Sequence, residues 1–218
     1  MLPRFNALSS LAPRCLAPRC LARRSLAMSV NAPTALVPIA DGSEEIEALT
    51  LSDVLVRGGV HVTIATVGAN ADNLVTMSRG AKVQGDVSIQ ELAGRSFDLI
   101  VVPGGMPGAT NLHNSRVLTE LLQQQQAEDR LIAAICAAPA VVLHAHKLLP
   151  KGPATSYPSF EKTMTGVDYK HERVVVNGKC VTSQGPATAM ELGVKLVELL
   201  VSPDKAAEVA KGLLMPGY

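Results

Sequence analysis

Leu131-Ile132-Ala133-Ala134-Ile135-Cys136-Ala137-Ala138-Pro139-Ala140-Val141-Val142 is the stretch from which the rest of the chain can be read. Its first five residues are apolar without interruption, as in a strand buried on both faces of a parallel sheet. After Cys136 the segment reads as a helix, with Pro139 in the first turn, where its missing N–H is not needed. A cysteine at a strand-to-helix turn points its sulfur at free backbone N–H groups and at the positive end of a helix dipole. Both favour thiolate over thiol. Ala134 and Ala138 stand two residues away on either side, the small-x-nucleophile-x-small spacing that a tight nucleophile elbow requires. The alternative is a buried cysteine acting as an inert small hydrophobe. This segment alone leaves both readings open.

Outward from Cys136, the pattern alternates strand and helix. Ala35-Leu-Val-Pro-Ile-Ala40 reads as a strand, followed by the loop Asp41-Gly42-Ser43 and a helix from about Glu44 that Ser43 can cap and Gly58-Gly59 ends. Val60–Val67 is rich in β-branched residues and reads as the next strand; 74–90 reads as short extended pieces with turns. Phe97–Val102 is a central strand running into Pro103-Gly104-Gly105-Met106-Pro107-Gly108, and a helix over about 116–126 leads into the strand before Cys136. Asn177-Gly178 between Val174-Val-Val and Cys180-Val-Thr signals a hairpin, and two helices, roughly 186–201 and 204–213, follow. The expected fold is α/β with a doubly wound parallel sheet, whose ligand site lies at the carboxyl ends of the strands. The loops after 35–40, 97–102 and 131–135 should converge there, and they hold the acids, the glycines and the cysteine.

Composition agrees with that class. The 218 residues fit one domain; hydrophobic residues make up 47% and aromatics only 3%, so the core is built from Ala, Val, Leu and Ile. The formal charge of +1 is unevenly spread. Residues 1–28 carry five arginines and no acid, leaving 15 basic and 19 acidic residues beyond them, a net of −4. A mildly acidic body without a basic run gives no support for nucleic-acid binding. The leader repeats Leu-Ala-Pro-Arg-Cys and resembles a mitochondrial or chloroplast transit peptide; a disordered extension upstream of a cytoplasmic start at Met28 is the alternative. Leucines at every fifth position and Pro13 and Pro18 do not suit an amphipathic import helix. The longest apolar run, Leu131–Leu143, is too short to span a bilayer. Cys15, Cys20, Cys136 and Cys180 match no zinc or disulfide spacing, so a reducing compartment is the default; no metal or other cofactor is expected.

Four segments in order, Glu44-Glu45-Ile46-Glu47, Pro103-Gly104-Gly105, Ala133-Ala-Ile-Cys136-Ala-Ala-Pro139 and Thr182-Ser-Gln-Gly-Pro186, closely resemble the DJ-1/PfpI family, in particular its DJ-1 branch. The resemblance covers about residues 33–214. It implies a flavodoxin-like α/β sandwich, a homodimer, and a reactive cysteine in an elbow beside a glutamate. By motif position these are Cys136 and Glu47. Gly104, Gly105 and Ala137 would form the anion-binding loop through their backbone, and Arg79 and Asp53 match positions near the site and the dimer interface. Tyr157 stands where many members carry a histidine. His61, His113, His144, His146 and His171 do not obviously replace it, so a Cys-Glu dyad is expected rather than a triad. Cys180 reads as a packed bystander.

Physical chemistry supports the pairing independently. A carboxyl group beside a thiolate does not comfortably ionise, so Glu47 should be protonated or share a proton with the sulfur. Glu44 and Glu45 read as first-turn acids favoured by the helix dipole. Gly104-Gly105 and Gly108 do not form G-x-G-x-x-G, so a dinucleotide site is not expected. The expected activity is a glyoxalase or deglycase on methylglyoxal, glyoxal or their early adducts. The competing reading is a redox sensor or oxidation-dependent chaperone using the same cysteine.

Overall fold

The computed structural model describes residues 32–69 and 72–217. The leader and its two cysteines lie outside these residues. The strands are β1 (Thr34–Ala40), β2 (His61–Val67), β3 (Leu74–Thr76), β4 (Lys82–Gln84), β5 (Val87–Ser88), β6 (Leu99–Val102), β7 (Leu131–Ile135), β8 (Pro153–Ala154), β9 (Asp168–Tyr169), β10 (Val174–Asn177) and β11 (Cys180–Ser183). The α-helices are α1 (Glu45–Arg57), α2 (Gly108–His113), α3 (Arg116–Ala127), α4 (Ala189–Leu200) and α5 (Pro203–Gly212). Seven strands form one sheet in the order β10-β11-β7-β6-β1-β2-β5, parallel except for β10, which pairs antiparallel with β11 across the Asn177-Gly178 turn.

Alternation along the strands builds two cores. Ala35, Val37 and Ile39 of β1, with Leu99, Val101, Ala133 and Ile135, face α1, α4 and α5; Leu36, Ala40, Ile100, Val102, Ile132 and Ala134 face the opposite layer with α3. Because both faces are covered, the central strands are apolar and buried throughout, apart from Thr34 at the start of β1. The helices of the first layer pack backbone-close. A Cβ on Gly58 would sit 2.5 Å from Val197 of α4, and one on Gly193 would sit 2.8 Å from Val54 of α1.

From β1 the chain moves outward to β2 and β5, then returns to the other side for β6, β7 and β11. The strand order therefore reverses between β1 and β6, and a crevice opens there at the carboxyl ends. The register puts Val102 beside Ala134 and Ile135 beside Ser183, so the loops after β6, β7 and β11 leave the same edge.

Two local expectations need correction, and one short helix was not anticipated. Ser43 does not cap α1: its Oγ accepts from the Ala40 N–H at 3.0 Å, and the cap is Glu44, whose Oε2 accepts from the Glu47 N–H at 2.8 Å. The glycine loop runs directly into α2, a helix too short to show a periodic apolar face in the sequence. After Cys136 the chain forms a π-helical turn, Pro139–His144, rather than a regular α-helix.

Candidate active site

Cys136 follows β7 with φ 63°, in the left-handed region that β-carbon residues avoid. Its N–H donates to Ser183 O at 3.0 Å, and its carbonyl accepts from the Tyr157 N–H at 2.7 Å. The turn is thereby pinned from β11 on one side and from the 155–157 segment on the other. Its strain, on the order of 1–2 kcal/mol, is offset by those bonds and the packed sheet. Neighbouring bulk is excluded, as the small-residue pattern implied: a Cβ on Gly104 would lie 2.7 Å from Cys136 Cβ and 2.9 Å from Ala137 N.

Glu47 lies in the first turn of α1 and is fully buried. Its Oε2 accepts from the Gly104 N–H at 2.8 Å, its Oε1 has no conventional donor, and the carboxyl interacts with the Cys136 thiol. Burial is the main reason its pKa rises, to about 7, against the lowering pull of the Gly104 N–H and the thiol; nearby Glu44 adds to the rise. Burial, and then the Glu47 carboxylate, push the Cys136 thiol up to about 12, while hydrogen bonds from the Gly105 and Ala137 N–H groups pull the other way.

Both shifts are upward: neither group ionises easily beside the other, so the pair holds a single negative charge. Sulfur is the better seat for it. The sulfur is partly exposed and receives two backbone N–H bonds, whereas the carboxylate is sealed from water and receives one. Moving the thiol proton onto Glu47 also converts a repelling carboxylate into a hydrogen-bond donor. The nucleophilic form of the pair is the thiolate beside protonated Glu47, which the two N–H groups at the sulfur favour and burial of the thiol opposes.

Gly104 departs from its expected part. Its N–H serves the Glu47 carboxylate, so only Gly105 and Ala137 present N–H groups at the sulfur. Gly105 takes φ 86°, and a Cβ there would meet Glu44 N at 2.5 Å and Gly42 O at 2.6 Å. Glu44 is not an exposed first-turn acid. It is 6% exposed, caps α1 with its side chain and donates its N–H to Gly104 O at 3.0 Å, tying the first loop to the glycine loop.

Arg79 lines the same cavity from the β3–β4 hairpin. The Glu45 carboxylate holds its backbone N–H at 2.9 Å and the Ser78 hydroxyl at 2.8 Å, and the guanidinium reaches only Ser78 O, at 3.3 Å. Tyr157 lines the cavity too and is 46% exposed. Asp53 does not. It lies on the exposed side of α1, paired with Arg57 at 2.6 Å.

The histidines stay away from the sulfur. His113 and His146 stack at 4.3 Å, His144 Nε2 contacts Thr165 O at 3.1 Å, His61 is exposed, and His171 faces Glu161 at 3.7 Å. None of the five lines the cavity at Cys136. Cys180 is buried in β11, its thiol pushed up to about 12 by burial. Among the described residues no three His, Cys, Asp or Glu side chains converge as a metal site would need, and no helix is long and apolar enough to cross a membrane. The cavity over Cys136 measures about 490 Å³. Ser78, Met106, Ser159 and Phe160 also line it. None of these was singled out from sequence: Ser78 and Met106 lie on loops and Ser159 and Phe160 in a short 3-10 helix, none with a local pattern.

The DJ-1/PfpI family model matches residues 33–199. Protein DJ-1 homolog B of Arabidopsis thaliana is 41% identical over 189 residues, 86% of this chain and 43% of that protein. The chain thus spans less than half the length of that relative. The glutathione-independent glyoxalase DJR-1.2 of Caenorhabditis elegans is 38% identical over 181 residues, 83% of this chain and 94% of that one. The structure of oxidised Toxoplasma gondii DJ-1 superposes with a TM-score of 0.82 at 42% identity, covering 85% of this chain and all of that one. With its flavodoxin-like sheet, its elbow cysteine and this match, the chain belongs to the DJ-1/PfpI family.

Proposed function

We propose that the protein is a glutathione-independent glyoxalase that converts methylglyoxal and glyoxal, or their early adducts with amines and thiols, to 2-hydroxy acids. The observation that carries this reading is the contact of the Cys136 thiol with the buried Glu47 carboxyl, with the Gly105 and Ala137 N–H groups at the sulfur. The Cys136 thiolate attacks the aldehyde carbon, and the developing oxyanion is stabilised by the two N–H groups and then protonated by Glu47. Glu47, now a carboxylate, removes the proton from the former aldehyde carbon and returns it to the adjacent carbonyl carbon through an enediol. This leaves a 2-hydroxyacyl thioester on Cys136. Water cleaves it to the 2-hydroxy acid and restores the thiol, so methylglyoxal plus water gives lactate. The name of the nematode relative supports the reaction class.

The test is lactate formation from methylglyoxal without glutathione. Wild type should produce it, and Cys136→Ala and Glu47→Gln should lose at least a hundredfold in kcat/KM. Unchanged turnover in Cys136→Ala would sink the mechanism.

A second reading is favoured by the partly exposed sulfur and its donors. Oxidation of the thiolate by two equivalents of hydrogen peroxide gives a sulfinate and two waters, and a protonated Glu47 can hold one of its oxygens. A +32 Da shift on Cys136 after mild peroxide supports this sensing role; its absence counts against it. We propose as well that the protein is a homodimer and that the Arg-rich leader directs import into an organelle.

A further inference from the structure

We propose that Tyr157 is a specificity-determining residue, and that the site prefers 2-oxoaldehydes whose ketone carbon carries an aromatic substituent seated against its ring. This rests on the glyoxalase reading and names its substrate class more narrowly.

The first argument is volume. At roughly the 30 Å³ that one water occupies in the liquid, the five non-hydrogen atoms of methylglyoxal need about 150 Å³. The cavity over Cys136 offers about 490 Å³. The second is the division of its walls. Arg79, Ser78 and the Gly105 N–H are polar, whereas Met106, Tyr157 and Phe160 supply apolar surface. Met106 and Tyr157 are 51% and 46% exposed, so this surface faces solvent with nothing in the fold covering it. Methionine adapts its shape to what packs on it, and aromatic rings gain by stacking beyond the area they bury.

The third argument concerns Tyr157 itself. Its backbone N–H donates to the Cys136 carbonyl at 2.7 Å, so the residue is tethered beside the nucleophile. Its phenol oxygen makes no hydrogen bond among the described residues, and the ring lies against Gly185, where a Cβ would stand 3.4 Å from Cδ2. A tyrosine kept for the fold would bury its ring and satisfy its hydroxyl. This one stays nearly half exposed, and its hydroxyl has no protein partner among the described residues.

The experiment compares kcat/KM for phenylglyoxal and methylglyoxal in wild type, Tyr157→Phe and Tyr157→Ala. Wild type should favour phenylglyoxal by on the order of tenfold, a ratio typical of one apolar pocket contact. Tyr157→Phe should keep the ratio; Tyr157→Ala should lower it about tenfold. A ratio unchanged in Tyr157→Ala, or lost equally in Tyr157→Phe, overturns the assignment. A second readout needs no turnover: protection of Cys136 from iodoacetamide by acetophenone against acetone. Acetophenone should protect at a concentration at least ten times lower in wild type, and that advantage should vanish in Tyr157→Ala. Equal protection by the two ketones in wild type overturns the proposal even if no aldehyde is consumed, and absent turnover with selective protection overturns only the glyoxalase reading.

Discussion

Glu47 is a carboxyl group with no solvent exposure, one N–H donor and a thiol for company, and its chemistry follows from that poverty of partners. Its pKa is raised in the folded chain to about 7, from 4.5. The folded state therefore holds a proton that the unfolded chain releases, and stability is greatest below pH 4.5 and falls as pH rises to about 7. At about 1.4 kcal/mol per unit the loss is on the order of 3 kcal/mol. Glu47→Gln removes the titration, so its unfolding free energy relative to wild type should rise by about that amount between pH 4.5 and 7 in urea titrations. A constant difference across that range contradicts the buried-carboxyl account. The same pair makes a second prediction through its sulfur. In wild type, iodoacetamide should alkylate Cys136 with a midpoint at or below about pH 7, where the pair loses its first proton. In Glu47→Gln the thiol titrates without the acid that supports its charge, so the midpoint should move up. A downward shift would place the charge on the carboxylate instead.

Loops after β1 and β6 meet backbone against backbone at the element scale. A Cβ on Gly108 would stand 2.2 Å from Ser43 N and 2.4 Å from Ser43 Cα, and one on Gly42 would stand 2.6 Å from Pro107 Cδ. No side-chain rotation relieves a clash with backbone, so Gly108→Ala must push the two loops apart. We expect it to destabilise the protein by more than about 2 kcal/mol in urea denaturation. It should also slow Cys136 alkylation at pH 7, because Gly105 is carried on the displaced loop. A stable variant with wild-type alkylation would show that the loops do not need this approach. The Gly104-Gly105 pair was recognisable in the sequence as a place where the backbone must come close. That Gly104 serves the glutamate and Gly105 the sulfur was not, because it depends on the direction each N–H takes after β6.

Across the whole molecule, the outer face of α1 stands out. Ile46, Leu49 and Val56 are 55%, 43% and 58% exposed, and with Asp53 they recur at helical spacing along one stripe. If this stripe is the homodimer contact, Leu49→Glu should halve the mass read by light scattering while leaving the monomer folded by circular dichroism. A mass equal to that of wild type removes this face from the proposal. The sequence by itself determined the fold class, the strand that ends at Cys136, the hairpin at Asn177-Gly178 and the pairing of Cys136 with Glu47. These rest on local signals: unbroken apolar strands, small residues around a nucleophile, turn dipeptides, and motifs in a recognisable order. Only the tertiary structure decided that Glu44 is a buried cap, that Ser43 turns back to β1, that Asp53 stands apart from the cavity and that Phe160 joins its wall. The physical reason is distance along the chain. Glu47 and Gly104 are 57 residues apart and bond only because the sheet reverses between β1 and β6, so the ends of strands far apart in sequence open into one crevice.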